Sequence, residues 1–218
     1  MNSPLPPDPP RDPDPDPDRS NPWTTVSSRP VYENPWIAVR EDQVLRPDGL
    51  PGIYGVVHFK NRAVGVLPVD ERGGVWLVGQ YRYPLHAYSW EIPEGGCPES
   101  EAPEETAQRE LREETGLRAG RLELVATAHL SNSVSDEVGY VFRATELTQG
   151  EVDPEGTERL VAQRFDWAEA WAMLQRGEIT DSLSVIAVLH EAVRRLENPS
   201  VEFGTGSSRV GQAALPDS

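Results

Sequence analysis

Hydrophobic and polar positions in the middle of the chain fall into short runs that predict β-strands. Runs at 53–59 and 63–69 are rich in β-branched and aromatic residues and flank the polar triplet 60–62, and a third run, 75–80, follows a Gly-Gly turn. Strands characteristically begin and end at such turns. The same pattern predicts further strands at 122–128, 139–144 and 160–166.

Three other segments have helical spacing. Residues 103–115 begin with a proline, which suits the first helical turn, and Gly116 after them favours the left-handed conformation that ends a helix. Asp166 and Glu169 form a capping-box-like start for a helix that reaches residue 176. A last amphipathic helix is predicted because residues recur at i, i+3, i+4 and i+7, at Leu183, Ile186, Ala187, His190, Val193 and Leu196.

Strands alternating with helices predict the α/β class, with α/β/α layers, one core and no internal repeat. Residues 1–22 are a low-complexity run of proline and aspartate, and residues 199–218 are rich in glycine and serine. Both compositions predict disorder, because neither can form a packed core. The domain prediction is therefore a Pro/Asp-rich arm at 1–22, one folded domain at 23–198 and a tail at 199–218.

The charge of the chain narrows its choice of partners. A formal net charge of -16 disfavours nucleic acid and anionic membranes. The sequence has one cysteine, no apolar run of membrane-spanning length and no secretory signal, so a cytoplasmic location is expected. A phosphorylated substrate would also be repelled by this surface, and an enzyme of phosphates would need local cations, of which a bound metal is the obvious source.

Three carboxylates stand together on the predicted helix 103–115. Glu110, Glu113 and Glu114 occupy positions i, i+3 and i+4 and so share one face. At ~5 Å separation each pair repels by roughly 3 kcal/mol at an effective dielectric constant of ~20. Mg²⁺ is the natural counter-charge, because it prefers oxygen ligands and bridges carboxylates to phosphates. A solvated acidic helix face is the simpler alternative, but it does not explain the glycines and the arginine around these glutamates.

The segment 95–117, GGCPESEAPEETAQRELREETGL, resembles the Nudix box. In that motif a glycine, five residues, a glutamate and seven residues lead into Arg-Glu-aliphatic-x-Glu-Glu-x-Gly-aliphatic. All the specified positions are filled here without a gap, by Gly95, Glu101, Arg109, Glu110, Leu111, Glu113, Glu114, Gly116 and Leu117. We refer to residues 95–117 as the box.

The resemblance implies a Nudix fold, an α/β/α sandwich with a mixed sheet and N-terminal antiparallel strands, and hydrolysis of a nucleoside diphosphate linked to another group. Glu110 and Glu114 then match the main metal ligands, with Glu113 close behind, and the backbone carbonyl of Glu94 joins them. Arg109 matches the residue that orients the glutamates, in a pair with Glu101. The implied cofactor is Mg²⁺, with Mn²⁺ as an alternative.

Residues outside the box resemble the branch of ADP-ribose pyrophosphatases and nucleotide-sugar hydrolases. The sequence Gln80-Tyr81-Arg82 followed by Trp90-Glu91-Ile92-Pro93 matches that branch, as does the run 178–187. The resemblance implies that Arg82 contacts substrate phosphate and that Glu91 lies near the metals.

The same branch implies a glutamate in the loop 150–159 as catalytic base, and Glu158 fits that placement best among Glu151, Asp153, Glu155 and Glu158. The loop 131–137 would meet the sugar, through Ser133 and Glu137. It lacks the proline of ADP-ribose enzymes, which favours a broader range of sugars. The N-terminal strands would cross to a partner subunit in a homodimer, where Trp36 would stack on the base.

The functional prediction is therefore metal-dependent hydrolysis of nucleoside diphosphate sugars, of the ADP-ribose, ADP-glucose and GDP-mannose type, giving a nucleoside monophosphate and a sugar phosphate. A pyrophosphatase of dinucleoside polyphosphates or of coenzyme A is a second enzyme hypothesis. A non-catalytic Nudix module that senses a nucleotide is a third. The complete set of box glutamates favours an enzyme, because sensing modules commonly lose one of them.

Overall fold

A computed structural model of the chain describes residues 20–150 and 160–198. The chain divides into two compact units between His58 and Phe59. The sequence alone predicts one folded domain at 23–198, because hydrophobic runs show where strands are but not which strands pair. The predicted arm and tail lie almost wholly outside the described residues.

From residue 20 onwards, where the structure describes it, the first unit consists of three paired strands. Strands β1 (Thr24–Glu33), β2 (Ile37–Leu45) and β3 (Pro51–Phe59) form a sheet in that order, and β1 and β2 are antiparallel. The Asn34 side chain accepts hydrogen bonds from the backbone N–H groups of Trp36 and Ile37 at 2.9 and 2.8 Å, which fixes the turn between β1 and β2. The predicted N-terminal antiparallel strands are present.

The second unit has two further sheets. Strands β5 (Val75–Arg82), β6 (Ala87–Glu91) and β10 (Val161–Phe165) form an antiparallel sheet in the order β10-β5-β6. The other sheet has the order β7-β4-β9-β8 and contains β4 (Arg62–Pro68), β7 (Glu94–Cys97), β8 (Leu117–His129) and β9 (Val138–Gln149). It is a mixed sheet, because β4 and β9 are parallel while its other pairs are antiparallel.

The described residues of the second unit also form three α-helices, α1 (Pro103–Thr115), α2 (Trp167–Arg176) and α3 (Ser182–Glu197). Helix α1 has the predicted bounds. Its first turn holds Pro103, the Glu105 side chain accepts from the backbone N–H of Ala102 at 3.2 Å, and Gly116 ends the helix with a φ of 71°. No helix in the part of the chain that the structure describes is long and apolar enough to cross a membrane.

The β4–β9 pair lies between helices on both faces. Alternate residues of β4 point in opposite directions, so that Val64 and Val66 pack in one buried cluster with Leu111 of α1, whereas Leu67 packs in another with Val188 of α3. This arrangement confirms the predicted α/β/α layering with a mixed sheet. The core has two clusters rather than one, because the central strands are buried on both faces.

Two details of the sequence prediction are corrected. Strands β8 and β9 are longer than the predicted 122–128 and 139–144, because they continue as a hairpin whose outer residues alternate too weakly in hydrophobicity to be recognised. Asp166 is the N-cap of α2 but its side chain makes no capping hydrogen bond. It instead accepts a hydrogen bond from Nη1 of Arg164 at 2.7 Å, so the predicted capping box does not form.

Candidate active site

The glutamates of α1 are joined to strand β7 by Arg109. Nη1 of Arg109 donates to Glu110 at 2.6 Å and to Glu113 at 3.1 Å, and Nη2 donates to the carbonyl of Gly96 at 3.0 Å. The opposite edge of the guanidinium holds both oxygens of Glu101 at 3.2 Å. The hydrogen bond from Arg109 also lowers the pKa of Glu101. The side chain of Arg109 therefore links three box glutamates, Glu101, Glu110 and Glu113, to strand β7.

Gly95 leaves the space that Glu110 occupies. A Cβ atom built on Gly95 would lie 2.1 Å from Oε1 of Glu110, far closer than atoms can approach. Glu110 itself is 8% exposed, although its carboxylate needs either water or a counter-charge. The absence of a side chain at Gly95 therefore makes room for a carboxylate fifteen residues later in the chain, where β7 packs on α1.

A second ion-pair group lies beside the first. Nε of Arg82, at the end of β5, donates to both oxygens of Glu91 at 3.0 and 2.9 Å, and Nη2 pairs with Glu91 and with Oε1 of Glu94. Glu91 is only 2% exposed, so the guanidinium provides the counter-charge that a buried carboxylate requires. Arg82 thus holds the last residue of β6 and the first residue of β7 together.

Glu94 connects the two groups. Its backbone N–H donates to Oε2 of Glu114 at 3.1 Å, which joins β7 to the last turn of α1. Burial raises the pKa of the Glu94 carboxyl well above its ordinary value, and the nearby carboxyls of Asp181 and Glu91 raise it further against the opposing effect of Arg82. The side chain is therefore placed where negative charge is already crowded.

The oxygen atoms around Glu94 that could bind a metal belong to carboxylates and backbone carbonyls. Such ligands suit a hard divalent cation. Oε2 of Glu94 is buried and has no hydrogen-bond partner among the described residues, which is a position that a cation would satisfy. Across residues 20–150 and 160–198, however, no three acidic, histidine or cysteine side chains are arranged as a set of metal ligands. The box glutamates turn towards Arg109 and the backbone of β7 instead, so the predicted metal ligands Glu94, Glu110, Glu113 and Glu114 adjoin one another without forming that set.

The remaining predicted site residues are distributed as follows. Glu137, at the end of the loop before β9, has its pKa raised by burial and by the carboxylates of Asp181 and Asp136. Ser133 lies in the exposed turn of the same loop. Trp36 belongs to the first unit and is 69% exposed. Glu158 lies outside the described residues.

Two residues near the site carry no role in the sequence prediction. Asp181 is the N-cap of α3 and accepts from the backbone N–H of Ser184 at 2.8 Å, and its carboxyl acts on Glu94 and Glu137. Ser184 is fully buried beside Ile92. Asp181 and Ser184 both belong to the run 178–187, which resembles the nucleotide-sugar branch as a whole segment. That resemblance did not indicate which residues of the run approach the site.

The second unit thus holds a mixed sheet between helices, with the glutamate-bearing helix α1 bonded to strand β7 through Arg109. The family described as "NUDIX domain" matches residues 59–185, and the one described as "Nucleoside diphosphate sugar hydrolase N-terminal domain" matches residues 23–57. The chain belongs to the Nudix hydrolase family. The boundary between the two matches coincides with the division of the chain into two units.

Relatives of known name agree with this assignment. The chain is 35% identical over 173 residues to an ADP-ribose pyrophosphatase of Mycobacterium tuberculosis, covering 76% of this chain and 81% of that protein. It is 30% identical over 168 residues to an ADP-ribose pyrophosphatase of Bacillus subtilis, covering 75% of this chain and 89% of that protein. A crystal structure of an ADP compounds hydrolase superposes with a TM-score of 0.73 at 19% identity, over 81% of this chain and 95% of that chain, and supports the fold.

Proposed function

We propose that this chain hydrolyses the pyrophosphate bond of nucleoside diphosphate sugars, ADP-ribose among them, with a divalent metal as cofactor. The observation that carries the proposal is the junction of α1 and β7, where Glu114 accepts from the backbone N–H of Glu94, Glu110 lies against Gly95 and Arg109 donates to the carbonyl of Gly96. The names of the two ADP-ribose pyrophosphatase relatives support ADP-ribose as a substrate. Mg²⁺ is the proposed ion, with Mn²⁺ as an alternative.

In this proposal the box side chains bind the metal. The carboxylates of Glu110, Glu113 and Glu114 and the backbone carbonyl of Glu94 would hold it, and Arg109 would orient Glu110 and Glu113 through its two bonds to them. When bound, the metal neutralises the charge on the pyrophosphate and lowers the pKa of a water for attack at phosphorus. Helix α1 carries most of these ligands, so they are placed by a rigid element.

Arg82 is the proposed contact for a substrate phosphate. Its side chain is about a third exposed, at 36%, while one edge is fixed by the buried Glu91. Because Nε and Nη2 of Arg82 are bonded to the glutamates, the N–H groups of Nη1 point in a fixed direction. A guanidinium oriented in this way favours hydrogen bonds to phosphate oxygens. Glu91 then has the role of a positioning residue for Arg82.

Glu158 remains the proposed base that receives the proton from the attacking water. The proposal rests on its position just before β10, whose pairing with β5 brings the start of that strand beside Gly79. The control for this assignment is Glu155 in the same loop. We expect Glu158→Gln to lower kcat at saturating substrate by about 10²-fold or more, within the range for a general base, and Glu155→Gln to leave it nearly unchanged.

The sugar is proposed to meet the loop that contains Ser133 and Glu137. The loop lacks a proline restraint on φ, and its serine and amide groups can pair with the hydroxyls of several sugars. We therefore expect ADP-ribose, ADP-glucose and GDP-mannose all to be hydrolysed. A kcat/KM preference for ADP-ribose above ~100-fold, equivalent to ~2.7 kcal/mol of transition-state binding, would contradict this breadth.

Chromatographic detection of the two monophosphate products from a panel of nucleotides tests the function directly, because cleavage of the pyrophosphate bond gives a nucleoside monophosphate and a sugar phosphate. The purified chain is assayed with the three nucleotide sugars, a dinucleoside polyphosphate and coenzyme A, each with and without Mg²⁺, and Glu114→Gln is the control for contaminating activity. Hydrolysis of a nucleotide sugar only with Mg²⁺ supports the proposal. Preference for a dinucleoside polyphosphate or coenzyme A would replace it, and binding without hydrolysis of any substrate would favour a sensing module.

A further inference from the structure

The chain crosses from one sheet to the other between the two glutamates that hold Arg82. Strand β6 ends at Glu91 in the sheet β10-β5-β6, and β7 begins at Glu94 in the sheet β7-β4-β9-β8. Ile92 and Pro93 therefore form a two-residue crossover. The geometry of this crossover sets the separation of Glu91 from Glu94, and so the position of β7 beside the box helix.

One side chain supports the crossover from α3. The backbone N–H of Ile92 donates to Oγ of Ser184 at 2.9 Å, and Oγ of Ser184 in turn donates to Oδ2 of Asp181 at 2.9 Å. Asp181 also accepts from the backbone N–H of Ser184 at 2.8 Å. The serine hydroxyl thus links the first turn of α3 to the crossover.

The Ile92 N–H has no partner in either sheet. The β5–β6 ladder ends with the pair Val78↔Glu91 and the β4–β7 ladder ends with the pair Gly65↔Glu94, so Ile92 lies between the two. Ile92 and Ser184 are both fully buried, so water does not reach this donor. A buried backbone N–H needs an acceptor, and Ser184 supplies it.

The connection continues from the crossover into the box. Two residues after Ile92, the backbone N–H of Glu94 donates to Oε2 of Glu114 at 3.1 Å. The carbonyl of Pro93 accepts from Val66 of the central strand at 2.9 Å, which leaves little freedom for the crossover to shift without moving Glu94. Helix α3 therefore reaches the box helix through Ser184, Ile92 and Glu94.

We propose that Ser184 is a positioning residue for the metal site: its hydroxyl fixes the Ile92–Pro93 crossover and thereby places the Glu94 backbone against Glu114. The inference rests on the proposed function, because it concerns the same site. Ser184 lies outside the box and on the helix farthest from it in sequence. Its effect is exerted through the backbone of β7.

The test replaces Ser184 by side chains that keep or lack a hydroxyl, including threonine and valine, which have the same shape. Ser184→Thr keeps the hydroxyl, Ser184→Val has the shape of threonine without it, and Ser184→Ala removes the hydroxyl without adding bulk. Ser89→Ala is the control, because Ser89 is buried on β6 and its hydroxyl has no hydrogen-bond partner among the described residues. The readouts are the Mg²⁺ concentration at half-maximal thermal stabilisation, amide hydrogen exchange of Ile92 and Glu94 without metal, and hydrolysis.

We expect Ser184→Val and Ser184→Ala to raise the Mg²⁺ midpoint roughly tenfold, the lower end of the range for residues that orient metal ligands, and to speed exchange of both amides. Ser184→Thr and Ser89→Ala should stay within about twofold of the parent chain, well short of the tenfold change expected for a lost orienting partner. If the threonine variant does not fold, Ser184→Ala against Ser89→Ala decides.

An unchanged Mg²⁺ midpoint in Ser184→Ala, with only a lower melting temperature, would show a structural role and overturn the inference. The absence of any Mg²⁺ response in the parent chain would overturn it as well. Failure of the parent chain to hydrolyse any nucleotide would instead remove the proposed function. The thermal titration and the exchange measurement would still decide the role of Ser184.

Discussion

Arg109 changes the electrostatic argument for the box. From the sequence, three carboxylates on one helix face call for a counter-charge, and Mg²⁺ is the natural one. In the structure the guanidinium of Arg109 already supplies part of it, through its bonds to Glu110 and Glu113. Arg112 also pairs with Glu113 at 3.1 Å, and Arg109 also bonds Glu101. Two positive charges against four negative charges still leave a net negative site, so a divalent ion remains favourable there.

The first prediction concerns the glutamates on which the proposed metal site depends. Glu110→Gln and Glu114→Gln, made separately, should lower kcat by ~10²–10⁴ while the fold is kept, because metal charge that stabilises the transition state is lost. Steady-state kinetics at saturating Mg²⁺ measures this. The matched control is Glu104→Gln on the exposed first turn of the same helix. Near-normal turnover in either box variant would show that the metal is held elsewhere.

A second prediction follows from the contact between Gly95 and Glu110. Gly95→Ala should leave the fold intact, because the Cβ meets only the end of a flexible side chain, but should displace the Glu110 carboxylate. A displacement of about 1 Å in an active site can cost ~10²-fold in rate, and we expect a loss of kcat of about that size. Gly55→Ala is the control, because a Cβ there meets nothing within 4 Å. Equal activity of the two variants would contradict the steric argument.

At this scale the sequence supplied the box but not its surroundings. The glycine, arginine and glutamate positions of the motif can be recognised from spacing alone, because they lie on one strand and one helix. The partners of Arg82 could not be recognised, since Glu91 and Glu94 reach it only after β5, β6 and β7 pair in two different sheets. The hydroxyl oxygen of Ser184 accepts a hydrogen bond from the backbone N–H of Ile92, 92 residues earlier in the chain. Only the tertiary fold creates this contact.

Among the elements, α1 was predicted best because its ends are marked chemically. Proline in the first turn and glycine after the last turn specify the two ends without reference to packing. Strands β8 and β9 were predicted too short, because pairing with each other extends them through residues that are mostly exposed, with Leu117 as the buried exception. Helix α2 starts where predicted, with Asp166 at its N-cap, although the Asp166 side chain makes no capping hydrogen bond. The boundary was therefore predicted correctly from a contact that does not form.

The third prediction concerns the turn between β4 and β5. Asp70 accepts from Arg72 and Gly74 of that turn at 2.9 Å each and pairs with Arg164 of β10. Burial alone would raise the pKa of Asp70, but the bonds from Arg164 and Gly74 outweigh it, and the pKa lies below 3.8. A lowered pKa in the folded state means that this carboxylate stabilises the protein above about pH 4 and ceases to do so as the pH falls through the folded value.

Asp70→Asn should therefore lower the free energy of unfolding at pH 7 by about 1.5–3 kcal/mol, the range for a hydrogen bond to a charged group. The difference from the parent chain should shrink at pH 3. Urea denaturation at the two pH values measures it. Asp166→Asn is the control, since its exposed pair with Arg164 should contribute little. An equal loss at both pH values would show that the charge of Asp70 is not the cause.

For the whole molecule, the match of residues 23–57 to the N-terminal family supports a separate role for the first unit. We propose that the unit contributes to a homodimer in which its strands help to build the active site. It exposes large apolar side chains, including Val31, Trp36 and Ile53, which favours a partner surface.

Deleting residues 1–20 should then leave activity intact, whereas deleting through Val39 should abolish it. The shorter deletion ends before β1, and the longer one removes β1 and the start of β2, which pairs with it. Light scattering of both variants and of the parent chain measures their mass in solution. A monomeric parent chain with full activity would remove the proposal.

The parallel pairing of β4 with β9 has a consequence for how quickly the chain reaches its native state. The pair begins with Ala63↔Gly139, a separation of 139 − 63 = 76 residues, and the loop it closes contains β5 to β8 and α1. Bringing such distant residues together lowers the conformational entropy of the intervening loop before the stabilising contacts have formed. Such pairs therefore slow folding. Helix α1 can form locally in the nascent chain, but the central β4–β9 pair is complete only once Ala144 has been synthesised. A ribosome-bound chain shorter than this therefore displays the box glutamates without the sheet that organises them.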